Sequence, residues 1–261
     1  MRRLLAVTAL ALLTGVANAQ SPITPPATAG ARTFNAVYSV SGKGIQAGDF
    51  NFGVKFQGDA YEATASRRMT GLVRTLVGSA QDYRYASSGQ VTAQGLQPTA
   101  YRHQGGKRNR IVEVSFAGGA PVTTATPVMG MGNPPATAAQ RAGAIDQVAA
   151  IASMVATTGD PCARTIRVLM DGRSRFDFVM SANGRIEVNT RAYRGQAIRC
   201  SVQFRPIAGF PDPQTPSTLT FLFARTANGL YAPIRIEMPT DVEQIGVAVL
   251  EARSFTASSD G

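Results

Sequence analysis

His103 is the only histidine of the chain and therefore the main candidate for general-base or metal chemistry. Arg102, Lys107, Arg108 and Arg110 lie close to it in the sequence. Nearby positive charge disfavours a protonated ring and repels a metal ion. We therefore expect an exposed histidine at the end of a strand, with no catalytic role. No metal ion or other cofactor is expected.

The run Lys107-Arg108-Asn109-Arg110 forms a short basic cluster after two glycines, at a predicted hairpin tip. No aromatic residue interleaves it, as a surface that stacks nucleic-acid bases would require. A solvated turn is the simplest interpretation of this cluster. The alternative is contact of Lys107, Arg108 and Arg110 with an anionic surface such as phospholipid headgroups.

Three carboxylates, Asp171, Asp177 and Glu187, are predicted to lie on successive strands. Glycosidases use two carboxylates about 5 to 9 Å apart, so a carboxylate-dependent hydrolase of envelope material remains an alternative. However, Arg173 and Arg175 lie beside them, and ion pairs or turn formation explain these acids more simply. The sequence also contains no Gly-x-Ser-x-Gly elbow for a nucleophilic serine. It therefore predicts no coherent catalytic set.

The first nineteen residues have the pattern of an export signal. Two arginines precede an apolar run over residues 4–16, and Ala17, Asn18 and Ala19 supply the small residues that signal peptidase cuts. Cleavage after Ala19 would leave Gln20 as the first mature residue. No other stretch contains the roughly 18 apolar residues needed to span a bilayer. We predict a periplasmic protein with no transmembrane segment after signal removal.

The mature chain is expected to be strongly basic. Two of the 26 basic residues leave with the leader, so 24 remain against 16 acidic residues, a balance of +8. Such an excess favours encounter with anionic envelope surfaces such as phospholipid headgroups or acidic wall polymers. Nucleic acid is not an expected partner, because an exported chain rarely meets it.

The only two cysteines, Cys162 and Cys200, are predicted to form one disulfide. An isolated pair in an oxidising compartment most often does so, and closing this loop removes chain entropy worth about 4 kcal/mol in the simple model. A redox pair normally has Cys-x-x-Cys spacing, which is absent here. The bridge would join the two ends of a three-stranded meander.

Alternation of apolar and polar residues predicts strands over most of the mature chain. Asp171-Gly172, Asn183-Gly184 and Asn228-Gly229 separate strand-like runs and predict type I′ hairpins. A further turn is predicted at Ser88-Gly89, and residues 121–135 are predicted to be irregular. The predicted strands cover residues 34–41, 50–56, 61–69, 80–86, 99–104, 110–116, 166–170, 176–180, 185–190, 218–225 and 231–238.

One segment predicts a helix. Ile145, Val148, Ala152 and Val155 share one face, and Asp146 can cap the start. One helix among a dozen strands predicts a mainly β fold: a strongly curved antiparallel sheet forming an open barrel or β-spiral, with the helix packed across it. We expect a single domain over residues 33–256, after a flexible lead-in at 20–32 and before a short tail at 257–261.

An ordered series of short motifs resembles the Gram-negative periplasmic family known as domain of unknown function 3108, over residues 33–255. The resemblance implies a curved antiparallel sheet around a helix, similar in outline to lipoprotein localisation factors and β-spiral envelope proteins. It implies no catalytic residues, and it agrees with a disulfide in some members. The motifs are Tyr38, Gly44-Ile45, Gly48, Tyr61, Gly71-Leu72, Gly95-Leu96-Gln97-Pro98, Tyr101, Asp146, Cys162, Asp171-Gly172-Arg173, Phe176-Asp177, Cys200, Pro206-Ile207-Ala208-Gly209 and Pro233-Ile234.

These observations favour an exported, non-catalytic factor of the cell envelope. Its curved sheet would bind an apolar ligand, such as an acyl chain or a lipoprotein, or a protein partner. The first alternative is a structural protein with a filled core and no ligand. The second is the carboxylate-dependent hydrolase. A large apolar concavity would favour the ligand carrier, whereas two close carboxylates in a cleft would favour the hydrolase.

Overall fold

The computed structural model describes residues 30–71, 74, 82–240 and 246–259. The predicted signal peptide and its cleavage point at Ala19 and Gln20 lie outside these residues, as does most of the predicted lead-in. Over the described ranges, no helix is long and apolar enough to cross a membrane.

One sheet of fourteen strands accounts for most of the described chain, and two helices accompany it. The strand order is β7-β6-β5-β4-β3-β2-β1-β14-β13-β12-β11-β10-β9-β8, and each pairing is antiparallel except the short parallel pair β8–β9. The predicted mainly β fold with an open, curved antiparallel sheet is therefore confirmed. The elements are β1 Arg32–Gly42, β2 Ile45–Gln57, β3 Ala60–Met69, β4 Tyr83–Thr92, β5 Gly95–Gly105, β6 Arg110–Ser115, β7 Val122–Thr126, α1 Ala138–Arg141, β8 Ile145–Asp146, α2 Gln147–Ala156, β9 Arg164–Met170, β10 Ser174–Asn189, β11 Arg194–Ala208, β12 Ser217–Arg225, β13 Tyr231–Pro239 and β14 Val247–Ser259.

Helix α2 lies within the curve of the sheet and contacts β3, β4, β5, β8, β9 and β13. Val148, Ala152 and Val155 are at most 1% exposed, and Ile145 just before the helix is partly buried. The alanine and valine side chains make this helix narrow, so the strands can curl closely around it. Large aromatic side chains such as Phe34 fill the remaining inner space.

The start of α2 agrees with the sequence prediction. One carboxylate oxygen of Asp146, Oδ1, accepts hydrogen bonds from the backbone N–H groups of Val148 at 2.9 Å and Ala149 at 2.8 Å. These bonds satisfy donors that the first turn of a helix leaves unpaired. The helix ends at Ala156, and Thr157 follows as its C-cap.

Two residue pairs that end in glycine were predicted to make turns, but they lie inside strands instead. Asn183-Gly184 is part of β10, which shifts its register against β11 between Ala182 and Arg185. Ser88-Gly89 is part of β4, which shifts its register against β5 at the same pair. A glycine inside a strand allows the extra residue or irregular backbone of a β-bulge, and both strands continue past it.

The other turn predictions have mixed outcomes. Asp171 and Gly172 both have positive φ, 52° and 70°, as a type I′ hairpin turn requires. Asn228-Gly229 also connects two paired strands, β12 and β13, but only the glycine has positive φ, so the predicted turn type is wrong. The segment at 121–135 is not wholly irregular, because it contains β7, and the short helix α1 follows it.

The structure contains the predicted disulfide between Cys162 and Cys200, whose Cα atoms are 5.3 Å apart. Cys162 precedes β9, and Cys200 lies in β11, so the bridge crosses the meander β9–β10–β11. Both cysteines are fully buried. At the chain end, the tail predicted from residue 257 belongs to β14 as far as Ser259.

Candidate functional site

The two edges of the open sheet approach each other along a line that we call the seam, where β5, β6 and β7 face β8, β9 and the β9–β10 turn. At this line the Thr123 hydroxyl donates a 2.6 Å hydrogen bond to the Gly172 carbonyl. Arg141 donates through Nη1 to the Pro121 carbonyl at 2.9 Å. Side chains, rather than a ladder of strand pairs, therefore hold the seam together.

His103 lies at the seam, and the prediction of an exposed histidine is wrong. The side chain is nearly buried, because the residue is 5% exposed. Its Nδ1 is 2.9 Å from the Tyr101 hydroxyl and 3.4 Å from Oδ1 of Asp171. Burial lowers the pKa of His103, and the nearby carboxylate of Asp171 opposes that effect. Tyr101 and His103 are two residues apart on β5 and both face inward, so the alternation of the strand was the signal for burial.

Gln147, the first residue of α2, connects this cluster to the β9–β10 turn. Its amide nitrogen donates to the Tyr101 hydroxyl at 2.5 Å and to Oδ1 of Asp171 at 2.8 Å. Its amide oxygen accepts from the backbone N–H of Asp171 at 3.1 Å. The glutamine was not identified from the sequence, since a single amide at a helix start has no distinctive pattern.

A second polar chain joins the N-cap of α2 to strands β4 and β3. Ser87 donates to Oδ2 of Asp146 at 2.7 Å, and the Tyr61 hydroxyl lies 3.0 Å from the same serine. Asp146 is 1% exposed, and its burial raises its pKa from 3.8 to about 6. The backbone and serine hydrogen bonds oppose that shift, because they stabilise the ionised carboxylate.

At one end of the seam, the β5–β6 turn and the β9–β10 turn form a depression of about 260 Å³ that we call the basic cleft. Its walls include the basic cluster predicted from the sequence, together with Arg173 and Met129, and His103 and Asp171 also line it. The structure thus brings the predicted surface contact Lys107, Arg108 and Arg110 into one concave site.

At the other end of the seam lies a second depression of about 360 Å³, which we call the seam pocket. Apolar side chains, including Leu96, Phe116 and Ile145, line one part of it. Arg164 and Arg167 line another part. The pocket therefore offers both an apolar wall and positive charge.

Arg164 of the seam pocket is held at the end of α2. Its guanidinium donates to the Ser153 carbonyl at 3.1 Å and the Ser153 hydroxyl at 2.7 Å, and it also contacts the Thr157 hydroxyl. Burial lowers the pKa of Arg164 to about 10. None of the ion pairs in the described ranges includes Arg164. Among the described residues, this charge is therefore balanced by neutral acceptors and the carbonyl end of the helix.

The three carboxylates considered for hydrolysis do not lie on successive strands. Asp177 and Glu187 both belong to β10, ten residues apart, which corresponds to about 30 Å of extended chain. Asp177 also forms a 2.7 Å ion pair with the neighbouring Arg175. These two acids therefore cannot form a glycosidase pair. The described residues also contain no group of three or more potential metal-ligating side chains.

Comparison with known proteins gives one family. A family model described as "Protein of unknown function (DUF3108)" matches residues 34–251, which span the sheet from β1 to β14. No curated protein and no solved structure gives a significant match.

Proposed function

The chain belongs to the DUF3108 family, whose function is unknown, and from that premise we propose that it is an exported, non-catalytic protein of the cell envelope. Its ligand is an amphiphile with an apolar chain and a negatively charged head. The seam pocket, between the two edges of the curved sheet, is the binding site.

The observation that carries this proposal is the combination of surfaces in the seam pocket. Leu96, Phe116 and Ile145 provide an apolar wall, and burial of an acyl chain there would be favourable. Arg164 and Arg167 lie at the same depression and would attract a carboxylate or sulfonate head. A volume of about 360 Å³ is within the range of small-molecule sites.

Packing inside the curve supports a site at the seam. Val148 and Val155 of α2, with Tyr38, Phe56 and Tyr61 of the strands, are almost fully buried in one core cluster. A ligand at that position would have to displace the helix. The seam pocket needs no such displacement, because it is already open to solvent.

Binding of a fluorescent fatty acid to the purified mature protein tests the proposal directly. We expect saturable binding, and we expect a fluorescent fatty alcohol of equal chain length to bind at least tenfold more weakly. The charge reversal Arg167→Glu should weaken fatty-acid binding at least tenfold, because the residue is exposed and lines the pocket. Fluorescence titration gives the dissociation constants of the two probes, for the unmodified protein and for the variant.

Arg191→Glu is the matched control for this experiment. Arg191 is also exposed, but it lies in the β10–β11 turn and does not line the pocket. The control should bind the fatty acid as the unmodified protein does. Equal loss in both variants would mean that general surface charge, not the seam pocket, attracts the probe. Absence of saturable binding would leave the purely structural role.

A further inference from the structure

We propose that the basic cleft binds inorganic phosphate, selected as an oxyanion that still carries a proton. This inference concerns a different site from the seam pocket and does not depend on the amphiphile. It rests on three features of the cleft: an excess of positive charge, two arginines held in position by backbone carbonyls, and one carboxylate in the wall.

The positive charge of the cleft comes from both turns that form it. Lys107, Arg108 and Arg110 belong to the β5–β6 side, and Arg173 lies in the β9–β10 turn. Among the described residues that line the cleft, Asp171 is the one carboxylate. The wall therefore carries four positive charges against one negative charge, with His103 neutral.

Two of the arginines are fixed in position by the segment that follows β7. Arg110 donates through Nε to the Pro127 carbonyl at 2.8 Å and through Nη2 to the Val128 carbonyl at 3.3 Å. Arg173 donates through Nη1 to the Gly130 carbonyl at 3.0 Å. A guanidinium has five N–H donors, so both groups keep donors for an anion while their orientation is set in advance.

Asp171 decides which oxyanion fits. The hydrogen bonds and ion pair of its carboxylate in the described ranges all use Oδ1, and the side chain is 37% exposed. The oxygen Oδ2 can therefore accept a hydrogen bond from a ligand. Phosphate keeps a proton at neutral pH and can donate that bond, whereas fully ionised sulfate would face a bare carboxylate.

Isothermal titration calorimetry tests the inference. The mature protein is titrated at pH 7.5 with phosphate and, separately, with sulfate at equal ionic strength. We expect phosphate to bind at least tenfold more tightly than sulfate. Asp171→Asn should remove this preference by weakening phosphate and strengthening sulfate. Asparagine tolerates the positive φ of position 171, so the turn is retained.

A second variant keeps the test independent of the hydrogen-bond cluster around Asp171. Arg108 is exposed and lines the cleft, so Arg108→Gln should weaken phosphate binding several-fold without a change in thermal unfolding. Arg191→Gln removes one positive charge outside the cleft and should change neither phosphate binding nor thermal unfolding.

Three outcomes would overturn the inference. The first is equal affinity for sulfate and phosphate in the unmodified protein, and the second is no detectable binding of either. The third is tighter binding of glycerol 3-phosphate, which is almost fully ionised at this pH and stands for a lipid headgroup. That result would assign the cleft to a phosphorylated surface and remove the selective role of Asp171.

Discussion

At the level of single residues, Asp146 couples the start of α2 to the pH of the solution. Its pKa is raised from 3.8 to about 6 in the folded protein, because burial penalises the ionised form. Below about pH 3 the carboxyl is protonated in both the folded and the unfolded chain, and its contribution to stability is fully present. As pH rises through about 6, the unfolded chain releases its proton first and that contribution is lost.

We therefore expect Asp146→Asn to remove a specific part of the pH dependence of stability. The free energy of unfolding of the unmodified protein should fall by about 3 kcal/mol between pH 3 and pH 7 relative to the variant. Asparagine can still cap the helix, so the variant should remain folded. Urea unfolding at several pH values measures the difference. Parallel curves for the two proteins would show that Asp146 ionises without penalty.

Gly172 is required at the seam for two separate reasons. It has a φ of 70°, and an added Cβ would lie 2.6 Å from the methyl group of Thr123 and 2.9 Å from a methyl group of Val114. Gly172→Ala should therefore lower the free energy of unfolding by about 2–4 kcal/mol, from backbone strain and overpacking together. Chemical denaturation provides the measurement.

Gly184 provides the matched control, because it has a φ of 79° and nothing lies within 4 Å of an added Cβ. Gly184→Ala should show only the backbone cost, about 1–2 kcal/mol. If both variants lose the same free energy of unfolding, the added methyl group at position 172 causes no overpacking across the seam.

At the level of elements, α2 is the support around which the sheet is built. Val148→Asp would place a carboxylate where the side chain is 1% exposed and surrounded by the core cluster. We expect a loss of about 3–5 kcal/mol in unfolding free energy. Val122→Asp is the control, since Val122 on β7 is 60% exposed and should lose less than about 1 kcal/mol.

Thermal unfolding and the fatty-acid assay should be run on both valine variants. If α2 were instead a mobile lid over a ligand cavity, Val148→Asp would give the opposite result: unchanged stability and lost ligand binding. If neither measurement changes, the side chain does not lie in the core.

The elements also show where local sequence patterns stop being informative. Asp171-Gly172 and Asn183-Gly184 are chemically alike, yet the first forms a hairpin turn and the second a bulge in β10. The partner strand decides between these outcomes, because β11 is long enough to pair with β10 on both sides of the bulge. That length is a nonlocal property. Helix α2 was predictable because its cap and its apolar face are local signals.

At the scale of the whole molecule, alternation predicted the curved sheet, but not that its two edges meet. The seam depends on contacts such as Gln147 with Tyr101 and Thr123 with Gly172, which join residues far apart in the sequence. Each contact uses one ordinary polar side chain and leaves no periodic pattern. The basic run was visible in the sequence, whereas its assembly with His103 and Arg173 into a cleft required the fold.

The pairing of β1 with β14 joins two series of neighbouring strands, β1 to β7 and β8 to β14, into one sheet. The hydroxyl groups of Thr33 and Ser258 meet at 2.6 Å across this pair, although 225 positions separate them in the sequence. In a chain that is synthesised N-terminus first, β1 can pair with β2 early, but its other edge stays open until the last strand arrives. Such an edge invites association with other chains, and contacts of such long range form slowly. Completion of folding is consequently tied to delivery of the C-terminal strand, and the waiting interval is the period in which a holding chaperone would act.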